Sequence, residues 1–216
     1  NSGIGSNGLT SARHDILCPY YREKYPETFD AGVDEKLVYC GPYKLEDKLE
    51  GSSMTIAQAL LSPTRTYAPV IMKIMKKHPG LIKGLVHCSG GGQTKCVRFG
   101  KSVHFVKDNL MDVPPIFKAI QKASGTSDRE MFEVYNMGHR MEVYCSKSDA
   151  KKVIDIAESY AVEARVIGHT EKSARPDRKN HVSVKYAGKT LEYARLGASI
   201  SASLPRCAAR GVDTLF

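Results

Sequence analysis

The sequence predicts an α+β fold in which helices pack on a mixed β-sheet. Short alternating runs, such as Val182, Val184 and Tyr186, are typical of strands that bury one face. Amphipathic helical patterns separate these runs, and one of them begins with the capping box Ser127-x-x-Glu130. The two kinds of pattern interleave without a strict strand–helix–strand repeat, which favours α+β over a parallel α/β sheet.

The N-terminal region is predicted to begin with a helix. A helical stripe runs from Leu9 to about Tyr25, and Pro19 weakens its middle because proline has no amide donor. Ser6 and Asn7 stand directly before this stripe as candidate helix caps.

Long segments without periodicity set the expected domain limits. Residues 26–54 show no sustained period, which predicts a long loop with a short strand around 37–39. We therefore expect 1–60 to form an N-terminal helix and an extended linking segment within one domain, 1–193. At 194–216 Ala, Ser and Arg dominate, which indicates an unrelated or disordered tail, with a genuine C-terminal helix as the alternative.

The remaining elements follow from apolar periodicity. Thr64 is a candidate cap for a helix that ends near Lys77. Its expected apolar stripe is Val70, Ile71, Ile74 and Met75. Further helices are predicted from Ile116 to Ala123, from Ser127 to near Val134, and from Ser146 through Tyr160. Strands are predicted at Gly84–Cys88, Thr94–Phe99, Val103–Lys107, His139–Cys145, Glu163–His169 and His181–Tyr186.

Composition excludes several classes of function. The 216 residues carry a net charge of +9, but the basic residues are spread over helix faces rather than alternating with aromatics, which argues against nucleic-acid binding. No apolar stretch is long enough to span a bilayer, and no signal peptide is recognisable, so no membrane partner and a cytoplasmic location are expected. The six cysteines form no C-x-x-C pair, which predicts reduced thiols and no zinc site.

A run of three glycines is the most informative motif. The apolar run 81–86 leads through His87 and Cys88 into Ser89-Gly90-Gly91-Gly92, as when a buried strand ends in a tight turn. Glycines can take positive φ and let the backbone approach a ligand, and successive amides in such a turn can converge on an anion. A β-bulge or flexible corner is the alternative, because short glycine motifs are common.

Three further motifs accompany the glycine turn. They are Gly3-Ile4-Gly5-Ser6-Asn7-Gly8, Leu61-Ser62-Pro63-Thr64-Arg65-Thr66-Tyr67 and Tyr135-Asn136-Met137-Gly138-His139-Arg140-Met141. In this order and spacing, the four motifs resemble the C-terminal domain of AIR synthetase (phosphoribosylformylglycinamidine cyclo-ligase) over roughly residues 1–193. The resemblance implies an α+β domain partly like the ferredoxin arrangement.

The resemblance also implies a site that binds substrate or phosphate. Its expected residues are Ser6, Asn7, Gly8, Thr64, Arg65, Ser89, Gly90, Gly91, Gly92, Asn136, Met137 and Gly138. The planar fork of Arg65 suits phosphate or carboxylate, with a salt bridge as the alternative. His139 is the candidate general acid, because histidine titrates near neutrality, with a structural role as the alternative. Gly5 departs from the family motif, which usually has a histidine there.

The resemblance implies ATP and Mg²⁺ as cofactors, bound mainly by an N-terminal domain that this sequence lacks. The chain's own residues predict no metal site, although the loop of Asp108, Asn109 and Asp112 could contact magnesium. A phosphorylated purine-pathway intermediate is the expected partner, and the full enzyme is expected to be a homodimer.

The implied function is that of the C-terminal part of a purine-biosynthesis ligase. In that reaction ATP phosphorylates the formyl oxygen of formylglycinamidine ribonucleotide, and a neighbouring nitrogen displaces phosphate to close the ring of aminoimidazole ribonucleotide. The chain alone is expected to be inactive. Two alternatives stay open: a related enzyme of the selenophosphate synthetase, thiamine-monophosphate kinase or hydrogenase maturation type, or a non-catalytic remnant that binds a metabolite.

Overall fold

The computed structural model of the protein describes residues 1–5, 7–194 and 212–215, the last of these as backbone only. The chain divides into two compact units, which we call the helical unit and the sheet unit. The helical unit comprises Asn1–Arg65, Ser89–Gln93 and Asp112–Gly138. The sheet unit comprises Thr66–Cys88, Thr94–Met111 and His139–Phe216. Helices and a mixed sheet confirm the predicted α+β class.

The elements are numbered in chain order. The described α-helices are α1 (Leu9–Ile16), α2 (Tyr20–Lys24), α3 (Ile56–Leu60), α4 (Ala68–Lys77), α5 (Pro115–Ser124), α6 (Asp128–Val134) and α7 (Ala150–Glu158). The described strands are β1 (Gly84–His87), β2 (Val103–Lys107), β3 (Met141–Ser146), β4 (Val166–Lys172), β5 (His181–Tyr186), β6 (Lys189–Ala194) and β7 (Val212–Leu215).

The long N-terminal helix expected from Leu9 to Tyr25 is wrong in its middle. The structure has two helices, α1 and α2, because the chain leaves the helix at Leu17. The Cys18 amide then donates to the Tyr43 carbonyl at 2.9 Å, and Pro19, which has no amide, begins the next turn.

The linking segment that follows is irregular rather than extended. The short strand expected around 37–39 is wrong, because Glu35–Leu37 forms a 3₁₀ turn and Val38 and Tyr39 are buried without pairing in the sheet. Helix α3, which periodicity did not indicate, begins at a complete capping box. The Thr55 hydroxyl accepts from the Gln58 amide, and the Gln58 side chain accepts from the Thr55 amide.

Helix α4 ends as predicted, but its start and one face differ. Its N-cap is Tyr67 rather than Thr64, and no side chain caps it. Val70 and Ile74 are buried as expected, whereas Met75 is 58% exposed and does not belong to the buried face.

The sheet unit is built on seven described strands in the order β1-β3-β7-β4-β2-β5-β6. The β2–β5 pair is parallel, and the other pairs are antiparallel. Helices α4 and α7 pack against each other and bury a core on this sheet that includes Ile74, Val143, Val153 and Ala157. This amphipathic arrangement is what the helical stripes predicted.

The strand expected at Thr94–Phe99 is wrong. Gly92–Arg98 is a 3₁₀ helix, and the Asn180 side chain donates to the carbonyls of Val97, Phe99 and Gly100. A side chain therefore satisfies backbone groups that a neighbouring strand would otherwise pair.

Two strands had no clear sequence signal. Strand β6 joins β5 through Ala187 and Gly188, which both have positive φ, as a two-residue hairpin turn requires. Strand β7, within the predicted tail 194–216, pairs with β3 and β4. Residues 195–211 and 216 lie outside the described residues, so the tail prediction stays a prediction for them.

Candidate functional site

The binding residues predicted from the four motifs lie within the helical unit wherever the structure describes them, and one side chain joins three of the motifs. The Asn7 amide donates to the carbonyls of Ser89 at 2.8 Å and Val134 at 3.0 Å. Its oxygen accepts from the Asn136 amide at 2.6 Å. Asn7 is therefore not the helix cap that the sequence suggested; the cap of α1 is Gly8, in the left-handed region.

The Asn-Met-Gly turn is held by a second buried amide. The Asn136 side chain, 1% exposed, donates to the Gly3 carbonyl at 3.1 Å and accepts from the Gly138 amide at 2.8 Å. The Gln93 side chain donates to the Asn136 carbonyl at 2.5 Å. Met137 has a φ of 49° and is also buried, so the side chains of both Asn136 and Met137 are enclosed by the protein.

The glycine turn has one face that packs and one that is open. Gly91 and Gly92 have φ values of 97° and 47°, in the positive range that glycine adopts most easily. The Gly92 amide donates to the Ser89 carbonyl at 2.9 Å, and a Cβ on Gly92 would collide with the Tyr135 carbonyl. Gly90 is exposed, and a Cβ there would meet nothing within 4 Å. The open side of this turn therefore lies at Gly90.

The Pro-Thr-Arg motif lies against the N-terminal glycine segment. Gly5 has a φ of 53°, and a Cβ on it would lie 2.8 Å from Thr64 Oγ1. This contact explains why a side chain at position 5, where the family usually has histidine, does not fit here without a shift. Thr64 is exposed and Arg65 is half-buried, while Ser6 lies outside the described residues.

Gly8 completes the N-terminal part of the site. Its φ is 63°, and a Cβ would lie 2.5 Å from the Tyr135 ring. Glycine is thus required here both by the backbone conformation and by close packing. The role of Gly8 in this structure is to let Tyr135 approach the start of α1.

His139 belongs to the sheet unit, where it holds a loop. It is 1% exposed, and its Nε2 accepts from the Met111 amide at 2.9 Å. A nitrogen that accepts a backbone hydrogen bond is deprotonated, so this geometry fits the structural alternative. The role of His139 as general acid stays a prediction.

A buried polar network in the sheet unit was not predicted. Lys107 on β2 donates to Glu142 Oε1, and Tyr144 on β3 donates to Glu142 Oε2. The Cys88 thiol also donates to Glu142 Oε1, at 3.2 Å. Lys107 and Glu142 are 1% and 0% exposed, so each charge depends on the other. No sequence signal links these residues, because a lysine at a strand end is normally exposed.

Burial keeps the two thiols beside this network, Cys88 and Cys96, in their protonated form. Burial raises the pKa of Cys88 well above its ordinary value and raises the pKa of Cys96 to about 12. Desolvation acts to lower the pKa of Lys107, but Cys96, Glu142 and the hydrogen bond to Glu142 raise it overall. At neutral pH the network therefore holds an ammonium group and protonated thiols, which suits a structural rather than a catalytic role.

The helical unit also contains a cavity of about 420 Å³. It is lined by aromatic and basic side chains, including Tyr20, Tyr25, Arg13 and Lys24. None of the site residues predicted from the sequence lines it. The ammonium group of Lys24 already has a hydrogen-bond partner in the cavity wall, because its Nζ donates to the Tyr20 hydroxyl at 2.7 Å. Across the described residues, every helix is too short or too polar to cross a membrane.

The sequence matches a known domain family over more than half of its length. The family model described as AIR synthase related protein, C-terminal domain, matches residues 41–179. The phosphoribosylformylglycinamidine cyclo-ligase of Methanococcus vannielii is 37% identical over 194 residues, which are 88% of this chain and 49% of the relative. The protein of that name from Methanocaldococcus jannaschii is 33% identical over the same shares of each chain.

A more distant relative shows the same partial coverage. The phosphoribosylformylglycinamidine cyclo-ligase of Caldicellulosiruptor saccharolyticus is 31% identical over 173 residues, which are 79% of this chain and 46% of the relative. The chain spans about half the length of the curated relatives it matches.

Proposed function

Because the chain belongs to the AIR synthase-related family, we propose that it supplies the phosphate- and substrate-binding turns of a phosphoribosylformylglycinamidine cyclo-ligase. Such an enzyme converts formylglycinamidine ribonucleotide and ATP to aminoimidazole ribonucleotide, ADP and phosphate. The chain alone lacks turnover in this proposal, because it corresponds to about half of its relatives.

One observation carries the proposal: the described residues of the predicted binding site lie together in the helical unit, and buried amide side chains hold their backbone. Asn7 ties the N-terminal segment to Ser89 and Asn136. A turn whose backbone is fixed in this way needs no reorganisation when charge develops on a bound phosphate. The cyclisation depends on positioning and charge stabilisation, which such a turn provides.

The proposed contacts use the open side of the glycine turn. The Ser89 hydroxyl and the backbone at Gly90 and Gly91 face a phosphate oxygen, while Gly92 keeps its amide within the turn. The half-buried Arg65 supplies a guanidinium whose fork matches phosphate. The net charge of +9 assists by steering anionic metabolites to the surface.

ATP, Mg²⁺, a homodimer and a cytoplasmic location belong to the same proposal. The loop of Asp108, Asn109 and Asp112 gives no support for a magnesium site of its own. The Asn109 amide donates to the Val166 carbonyl at 2.7 Å, and neither aspartate belongs to a described group of three or more histidine, cysteine, aspartate or glutamate side chains that could share one ion. We therefore assign the magnesium ligands to the half of the relatives that this chain does not match.

Calorimetric titration tests the binding role. Formylglycinamidine ribonucleotide and inorganic phosphate are titrated into the wild-type chain, Gly90→Ala and Ser89→Ala. Gly90→Ala adds a methyl group on the open side without meeting any protein atom within 4 Å, so the variant should fold and bind at least about tenfold more weakly. The matched control is Gly84→Ala on β1, which has no positive φ and whose Cβ would make only an ordinary van der Waals contact, at 3.6 Å from the Tyr144 ring. Equal affinity in Gly90→Ala and the control would contradict the binding role.

An activity assay tests the reaction. The pure chain should form no aminoimidazole ribonucleotide above a blank without enzyme. Turnover by the chain alone would contradict the proposal that it needs the other half of the enzyme for the reaction. Parallel titrations use thiamine monophosphate and selenide with ATP. Tighter binding of either than of formylglycinamidine ribonucleotide would move the chain to another branch of the superfamily.

A further inference from the structure

Two histidines and a glutamate cluster on one face of the sheet unit. One ligand atom from each of His104, His181 and Glu192 lies within 4.8 Å of the other two. The two imidazole rings are stacked, with 4.0 Å between centroids and 12° between planes. Among the residues that the structure describes, this is the sole group of three or more histidine, cysteine, aspartate or glutamate side chains close enough to share one ion.

Three adjacent strands hold these side chains in place. His104 on β2 faces His181 in the parallel β2–β5 register. On β5, Ser183 lies two residues beyond His181, so its side chain is on the same face, and it faces Glu192 on β6. Because backbone hydrogen bonds fix the spacing of neighbouring strands, the cluster is more rigid than a site built on loops.

Both imidazoles have a partner that sets their tautomer. His104 Nδ1 lies 2.7 Å from Glu171 Oε1, and His181 Nδ1 lies 3.1 Å from Ser173 Oγ. A carboxylate or hydroxyl acceptor beside Nδ1 keeps the proton there and leaves Nε2 as the free electron pair, which is the usual arrangement around metal-binding histidines. In the present structure Ser183 Oγ lies 2.8 Å from His104 Nε2.

The three proposed ligand side chains differ in their exposure to solvent. His181 is 8% exposed and the His104 side chain is 18% exposed, so protein atoms cover most of both rings. Glu192 is exposed and can rotate toward them. The solvent side stays open for a water molecule, as in zinc sites with three protein ligands.

We propose that His104, His181 and Glu192 bind one divalent transition-metal ion of the zinc class, through both Nε2 atoms and the carboxylate. Imidazole nitrogen and carboxylate oxygen are preferred zinc ligands, with metal–nitrogen distances of about 2.0–2.1 Å. Ligand atoms around a tetrahedral zinc ion are therefore roughly 3.3 Å apart. Binding requires the two stacked rings to tilt until both Nε2 atoms point at the ion, together with rotation of Glu192 and displacement of the Ser183 hydroxyl. The ion cross-links β2, β5 and β6 and stabilises the sheet by mass action.

Zinc titration of the tag-free chain, in competition with a chromophoric chelator, tests the proposal. Cys40, which is exposed, and Cys207 are first replaced by serine, so that thiols do not compete for the ion. The wild-type background should bind one Zn²⁺ per chain, and its Tm should rise in excess Zn²⁺. Glu192→Gln changes an exposed side chain, so it should fold normally and bind at least about tenfold more weakly.

Two further variants separate a metal site from a hydrogen-bonded histidine pair. Ser183→Ala removes the hydroxyl that competes for His104 Nε2, so it should bind Zn²⁺ at least as tightly as the background. His87→Asn removes an exposed histidine of β1 outside the cluster and should leave affinity unchanged. The proposal is overturned if binding is not saturable, if Glu192→Gln and His87→Asn bind equally, or if Ser183→Ala binds as weakly as Glu192→Gln.

Discussion

Replacing Lys107 by methionine should destabilise the sheet unit strongly. Lys107 is 1% exposed and donates to Glu142, which is fully buried. After Lys107→Met the carboxylate keeps only the neutral donors Tyr144 and Cys88. Breaking a buried ion pair by removing one partner costs about 3–5 kcal/mol, because an uncompensated charge remains.

The loss of stability in Lys107→Met can also be calculated from the cost of protonating Glu142, which gives a similar value and predicts a pH dependence. The buried carboxyl group of the variant can avoid its charge by taking up a proton on folding. An ordinary glutamate titrates near about 4.3, so protonation at pH 7 costs about 1.36 kcal/mol for each of roughly 2.7 pH units, or about 3.7 kcal/mol. The folded variant then binds one proton more than the unfolded chain, so its stability falls as pH rises above about 4.3.

Urea unfolding followed by circular dichroism measures both effects, since the chain has no tryptophan. The matched control is Lys151→Met, which breaks an exposed pair with Asp155 and should hardly change the midpoint. Lys107→Met combined with Glu142→Gln removes the uncompensated charge and should recover most of the loss. A loss in Lys107→Met no larger than in the control, or a double variant as unstable as the single one, would refute the reasoning.

The structure predicts the effect of three further substitutions on stability. Gly92→Ala forces a Cβ against the Tyr135 carbonyl at positive φ and should lower the free energy of unfolding by more than about 1 kcal/mol. Gly90→Ala should change it by less than about 0.5 kcal/mol. Urea midpoints measure both variants, and equal losses of stability would contradict the assignment of Gly92 to the packed side of the turn. Asn136→Ala removes a buried side chain that accepts from the half-buried Gly138 amide and donates to the Gly3 carbonyl, and it should cost about 1–3 kcal/mol in the same assay. An unchanged midpoint would be the contrary result. Thr55→Ala removes the cap of α3 and should cost about 1 kcal/mol, which Thr55→Ser should largely restore.

Local sequence patterns predicted the elements that depend only on residues close together in the chain. The alternation at Val103–Lys107 and His181–Tyr186 gave those strands with their observed bounds, and Ser127 caps α6 as expected. Alternation could not show that Lys107 is buried, because its partner Glu142 lies 35 residues away and no local rule links them. The His104–His181 pair was missed for the same reason, since it exists only through the β2–β5 register.

The sequence predicted which residues form the candidate site, but it could not separate residues that hold a turn from residues that would face a ligand. An asparagine amide serves either purpose equally well. In the structure the side chains of Asn7 and Asn136 form hydrogen bonds with backbone groups of neighbouring loops. A variant at Asn136 that loses binding therefore does not identify a ligand contact, because the turn itself would have moved. Gly90 supports the opposite inference: its open face allows a methyl group without a clash, so a loss of affinity there would report the ligand directly.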